Sequence, residues 1–143
     1  MNEALKSDNI EKFFDEIGKP VKNNYLYAYE EPSNTSIFLL GVLSVVNLKY
    51  CIVGFFPEEI ILLPLTVTGK FRGDHVIIPR EKIHNMDVKK GLMQYKITIK
   101  KDNQKSVLRC NKFILNTPWQ KENIQFLEKN IGRAVYIELN VWV

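Results

Sequence analysis

Residues 76–112 read VIIPREKIHNMDVKKGLMQYKITIKKDNQKSVLRCNK. From Met93 to Lys101 the stretch alternates. Met93, Tyr95, Ile97 and Ile99 take one face and Gln94, Lys96, Thr98 and Lys100 the other, the period-two pattern of a strand with one buried side. Asp102-Asn103-Gln104 has hairpin-loop chemistry. Ser106 to Lys112 then returns, with Leu108 and Cys110 inward and Arg109 and Asn111 outward. Upstream, His75 to Pro79 and Ile83 to Lys90 read as two more strands, the second closed by a tight turn at Gly91. Antiparallel hairpins are therefore predicted, in a mainly β chain with helices (α+β).

Working towards the N-terminus, Tyr50 to Phe56 and Glu59 to Thr66 predict a hairpin around Phe56-Pro57-Glu58. A loop from Thr68 to Asp74 follows it. Ser36 to Val46 is mostly apolar and reads as a short buried helix, with a core strand as the alternative, because periodicity does not separate the two. Ile37 to Phe56 is long enough to span a bilayer, which takes roughly 20 residues. The Asn47-Leu48-Lys49 interruption favours two buried elements instead. Tyr25, Tyr27 and Tyr29 alternate with Leu26, Ala28 and Glu30 as in a strand. Asp8 is the expected N-cap of a first helix, with Glu11 at capping-box spacing, Ile10, Phe13, Phe14 and Ile17 on one face, and Gly18 and Pro20 as the stop.

Towards the C-terminus, Thr117, Pro118 and Gln120 fit the N-cap, first position and capping-box position of a last helix. Ile124, Leu127 and Ile131 form its apolar stripe, widened by Trp119 and Phe126, and Gly132 is its stop. Arg133 to Val143 alternates again, with Val135, Ile137, Leu139 and Val141 on one face. That final strand is expected to pack on the domain or on another copy. The expected organisation is a helical extension over 1–23, a domain over 24–132 and the strand over 133–143.

The 143 residues suit one hydrophobic core, and 11% aromatics with 45% hydrophobic residues exclude a disordered chain. Charge is uneven. Residues 69–112 hold twelve basic and four acidic residues, a balance of +8, which leaves −4 elsewhere in a chain of net +4. Such asymmetry points to an anionic partner, against the plainer reading of lysines that protect a sheet edge. No apolar secretory core opens the chain, and Cys51 and Cys110 read as buried free thiols of a cytoplasmic protein that also contacts the membrane periphery in the alternative reading; a disulfide between them stays open if their strands are neighbours.

Chemistry is sparse. His75 and His84 have no ligand spacing to either cysteine, so no metal site is expected. No glycine-rich phosphate loop or other cofactor motif occurs. Neighbouring carboxylates Glu30-Glu31 and Glu58-Glu59 are expected on opposite faces of extended backbone, which defeats paired acid/base work. The expectation is a protein that is not an enzyme and needs no cofactor.

The run Tyr50 to Phe56, then Ile60 to Leu65, the Ile77-Ile78-Pro79 strand end, Gly91-Leu92 and the strand Tyr95 to Ile99 resemble the core of bacterial pleckstrin-homology-like (PH-like) domains. The resemblance covers about residues 48–112, and the helix from Pro118 to Ile131 is similar to that family's C-terminal cap. It implies two near-orthogonal antiparallel sheets, a barrel or split sandwich closed by the last helix, with Trp119, Phe126 and Leu127 covering the inner face. It also implies binding in place of catalysis. Eukaryotic relatives that bind phosphoinositides carry a basic loop after the first strand, whereas here Phe56-Pro57-Glu58-Glu59 is acidic.

Candidate anion- or partner-binding residues are Lys70 and Arg72 in the loop and Lys89, Lys96, Lys100, Lys105 and Arg109 on the outward strand faces. Candidate self-association residues are Val135, Ile137, Leu139 and Val141. The leading expectation is a protein partner or homo-oligomer, then an anionic membrane surface. Nucleic acid ranks last, because Tyr95 faces inward and offers no stacking platform.

Overall fold

The computed structural model describes residues 6–31, 50–66, 69–71, 74–101 and 104–129. The first helix, α1, spans Ser7–Glu16. Seven strands follow: β1 Tyr25–Glu30, β2 Tyr50–Phe55, β3 Glu59–Pro64, β4 Val76–Pro79, β5 Asn85–Lys90, β6 Gln94–Lys101 and β7 Gln104–Asn111. A second helix, α2, occupies 118–129. The expected segments 32–49 and 130–143, with the loop residues 72–73 and 102–103, lie outside the described residues. The candidates Arg72, Val135, Ile137, Leu139 and Val141 are among them.

All neighbouring strands are antiparallel and form one sheet in the order β4-β3-β2-β1-β7-β6-β5. Two separate sheets were expected. A single sheet results because β1 bridges the groups, sharing the pairs Tyr29–Arg109 and Glu30–Leu108 with β7. The sheet is not closed, and β4 and β5 are its edges. It curls over on itself, since Val53, Ile60 and Leu62 of one half share a core with Ile97, Ile99 and Leu108 of the other.

The unbroken apolar runs of β2 and β3 have a simple cause: both faces of these strands are covered. Val53, Phe55, Ile60 and Leu62 enter the core inside the curl. Ile52, Phe56, Ile61 and Leu63 point outward, beneath Ile10 and Phe14 of α1. Ile10 and Phe14 are fully buried and contribute on the order of 2 kcal/mol each to docking α1. Gly54 permits that close approach, because a Cβ there would stand 2.8 Å from the Phe14 ring.

The helix ends differ in legibility. Gly18 at φ 75° closes α1 as expected, with Lys19 N–H donating to Phe14 O and Gly18 N–H to Asp15 O, the paired bonds of a Schellman turn. The N-cap is Lys6 and not Asp8, and no side chain caps the helix; Asp8 sits in the first turn, where its charge opposes the macrodipole's positive end.

Three strand boundaries also shift. Ile83 follows a 3-10 turn at Arg80–Lys82 and is buried there, so β5 starts two residues later. Met93 belongs to the turn before β6 and is 72% exposed instead of facing the core. Gln104 pairs with Lys101, which moves it from the expected loop into β7.

In α2, Trp119 lies on the outer cluster against Tyr25, with ring centroids 5.0 Å apart. Only Ile124 and Leu127, with Phe126 half-buried beside them, reach the inner core as the expected lid. Gln120 does not close a capping box. Fully buried, it plugs the gap where β1 and β7 diverge: its Oε1 accepts from Tyr27 N–H at 2.9 Å, and its Nε2 donates to Tyr27 O at 2.9 Å and Asn111 O at 3.0 Å. Asn123 continues the repair by donating to Tyr25 O at 3.0 Å. Two side-chain amides thus stand in for the strand backbone that the curled sheet withdraws.

Candidate anion-binding face

Alternation on β6 buries Tyr95, Ile97 and Ile99 and turns Lys96 outward. The ladder then decides which cations become neighbours. Lys89 pairs with Lys96, and Lys96 with Arg109, so three cations occupy one row across β5, β6 and β7. The row continues through Tyr29 on β1 to Tyr50 on β2. Lys100 and Lys105 form a second like-charge pair on β6 and β7.

Directly opposed residues place their Cβ atoms about 5 Å apart. Two unit charges at that distance repel by about 0.8 kcal/mol at the dielectric of water. That cost is small enough for long side chains to bear by splaying, and an anion laid across the row would remove it.

Acids temper the row without cancelling it. Arg109 Nε donates to Glu31 at 2.8 Å, and both side chains stay partly exposed. On the opposite face of the sheet, Lys90 stands across from Tyr95 and pairs with Glu128 at 3.0 Å, and Tyr95 donates to the other oxygen of that carboxylate, so this acid leaves the row untouched. The bond from Lys90 holds the Glu128 carboxyl below its ordinary range. Asp87 is exposed two residues before Lys89 on β5.

Lys70 is exposed but lies in the β3–β4 loop, outside the strand row; its backbone N–H donates to Thr66 Oγ1.

The carboxylate pairs divide. Glu30 and Glu31 do take opposite faces: Glu31 meets Arg109, while Glu30 is buried and accepts from Ser106 Oγ. Burial pushes the Glu30 carboxyl up to about 7. Glu58 and Glu59, expected to diverge, converge instead on the Lys19 ammonium at 2.6 and 2.7 Å, because Glu58 sits in the turn and not in extended backbone. The acidic β2–β3 turn is thereby tied to the end of α1.

Cys51 and Cys110 are fully buried free thiols. They lie on β2 and β7, on opposite sides of β1, so about two strand spacings, near 9.6 Å, separate the strands that carry them. A disulfide needs Cα atoms within about 7 Å, which excludes one without backbone movement. Burial raises the Cys110 thiol to about 12.

Several residues escaped the sequence reading. Tyr27 stacks on Tyr50 at 6.0 Å, beside the cationic row, and burial raises its phenol to about 12. The alternation of β1 was visible in sequence, but its register with Tyr50 was not. Leu92, Met93, Phe113 and Leu115 are exposed beyond the ends of β6 and β7. Among the described residues, no group of three or more His, Cys, Asp or Glu side chains could hold a metal ion. Also among the described residues, no helix is long and apolar enough to cross a membrane. In comparisons with known proteins, no family model and no curated protein matches this chain.

Proposed function

We propose that this chain is a non-catalytic binding module of PH-like fold, acting in the cytoplasm, whose outer β5–β6–β7 face accepts an anionic partner. Support for the fold reading is the strand sequence itself: a four-strand meander, a three-strand meander, and a helix after the last strand that packs at their junction. The observation that carries the function is the row Lys89–Lys96–Arg109, three cations made direct neighbours by the ladder. Anionic surfaces are the partners that such a row attracts, with an on-rate and affinity that fall as salt rises. Buried thiols at Cys51 and Cys110 fit a reducing compartment.

Titration calorimetry with poly-L-glutamate as the probe tests the reading. The native chain binds in low salt and loses binding progressively towards 0.5 M salt, where the screening length falls to about 4 Å. The variant Lys89→Gln/Lys96→Gln/Arg109→Gln binds at least about tenfold more weakly, since each cation near an anionic surface contributes about 1 kcal/mol. Lys12→Gln/Lys22→Gln, which removes two exposed lysines elsewhere, binds as the native chain does. Equal losses in both variants would reduce the effect to net charge and defeat the proposal.

A further inference from the structure

Six large apolar side chains are exposed among the described residues, and four of them come together at one end of the sheet. Leu92 and Met93, 90% and 72% exposed, form the tip of the β5–β6 turn, closed by Gly91 N–H donating to Gln94 O at 2.8 Å. Phe113 and Leu115, 71% and 75% exposed, lie in the segment that leads from β7 to α2. Lys112 N–H donates to Met93 O at 3.0 Å and joins the two segments. Scattered apolar residues on a surface need no explanation, but four on two loops joined by a backbone hydrogen bond concentrate apolar surface at one end of the sheet, as interaction sites do.

The surroundings select the occupant. Lys90 and Lys112 flank the patch, Lys90 paired with Glu128 and Lys112 over the Tyr95 ring at 5.3 Å. Lys96 follows Met93 by three residues along the chain, so the row Lys89–Lys96–Arg109 stands about 10 Å behind the apolar tip at 3.4 Å per residue. Among the described residues, Asp87 and the Arg109-bound Glu31 are the acids on that face. Apolar groups at the front and cations about 10 Å behind match the layering of an anionic bilayer, in which inserted side chains reach about 5–10 Å below the headgroups.

We propose that the Leu92–Met93 turn and the Phe113–Leu115 segment form an insertion end, which seats the module on an anionic lipid surface with the cationic row at the headgroups. The proposal rests on the reading of that row as an anion face and adds the partner's class and the docking orientation. Each loop contributes two side chains, and none of the four needs to move to become accessible.

The full chain is mixed with sucrose-loaded vesicles of phosphatidylcholine alone or with 30% phosphatidylserine, and pelleted. Binding is expected to the mixed vesicles only. Leu92→Ser/Met93→Ser and Phe113→Ser/Leu115→Ser each weaken it about a hundredfold, from the lost transfer of two large apolar side chains. Both retain native binding to poly-L-glutamate. In Leu92→Trp, mixed vesicles shift the emission to the blue and bromine on the acyl chains quenches it, after subtraction of the native signal from Trp119 and Trp142.

Native-like pelleting of both serine variants would overturn the insertion end, as would an unquenched Leu92→Trp signal. So would a native dimer that Leu92→Ser/Met93→Ser dissociates in sedimentation equilibrium, because the patch would then be covered by a second copy. Binding to poly-L-glutamate without binding to vesicles overturns this inference and leaves the anion face standing. Failure to bind either overturns both.

Discussion

Replacing Glu30 by Gln isolates a single buried titration. Glu30 is 7% exposed, with Ser106 Oγ donating to its carboxylate. Burial, which disfavours the charged form, raises its carboxyl from 4.5 to about 7, and the Ser106 bond offsets only part of that. The unfolded chain binds this proton less tightly than the folded one. Glu30 therefore adds stability that is fully present below pH 4.5 and is lost as pH rises through 7. The difference of about 2.5 units corresponds to about 3 kcal/mol. Against a total stability of roughly 5–15 kcal/mol, that is a large fraction.

Urea unfolding of the native chain and Glu30→Gln from pH 4.5 to 8.5 reads the effect directly. The amide keeps an acceptor for Ser106 and has no proton to lose. The variant should match the native chain near pH 4.5 and exceed it by about 3 kcal/mol at pH 8.5, with an unchanged m-value. Subtracting the two curves removes every contribution that the native chain and the variant share. A flat difference across this range, or a variant less stable than native at pH 8.5, would refute the argument. It would mean that Glu30 is ionised in the folded protein and stabilised there.

Gly54→Ala should cost about 1–3 kcal/mol, because its Cβ meets the Phe14 ring at 2.8 Å and Phe56 at 2.9 Å; a cycle with Phe14→Leu should recover part of that loss in urea midpoints. Gln120→Ala strips partners from the Tyr27 N–H, the Tyr27 carbonyl and the Asn111 carbonyl, so a loss of about 3 kcal/mol and faster amide exchange at Tyr27 are expected. Cys51 and Cys110 should react with a bulky thiol reagent only as fast as the fold opens, and should form no intramolecular disulfide under mild oxidation; both are measurable by thiol titration and mass spectrometry.

Period-two alternation was enough to place β1, β6 and β7 and to assign Lys96 and Arg109 outward, Ile97 and Cys110 inward. The same rule separated Glu30 from Glu31. It failed at Met93, where alternation ran on into a turn, and at Glu58-Glu59, where alternation was applied across a residue that the hairpin reading had already placed in the turn. Capping patterns proved weaker guides: Asp8 and Gln120 both stood at plausible spacings, and neither caps its helix. Trp119 was rightly taken as a packing residue of α2 but wrongly given to the inner core.

Taken alone, the residue order determined what each strand would bury and where its cations would lie, since side-chain direction along extended backbone is a local property. Only the tertiary structure decided which strands became neighbours. Register across β5, β6, β7 and β1 is set by contacts between distant residues, and it aligned Lys89, Lys96 and Arg109 in one row. The curl of the sheet then opened the gap that Gln120 fills and enclosed Glu30, while the β6–β7 register set two apolar loops at the same end. None of these could be read from spacing, because each depends on a distance through space between residues far apart along the chain.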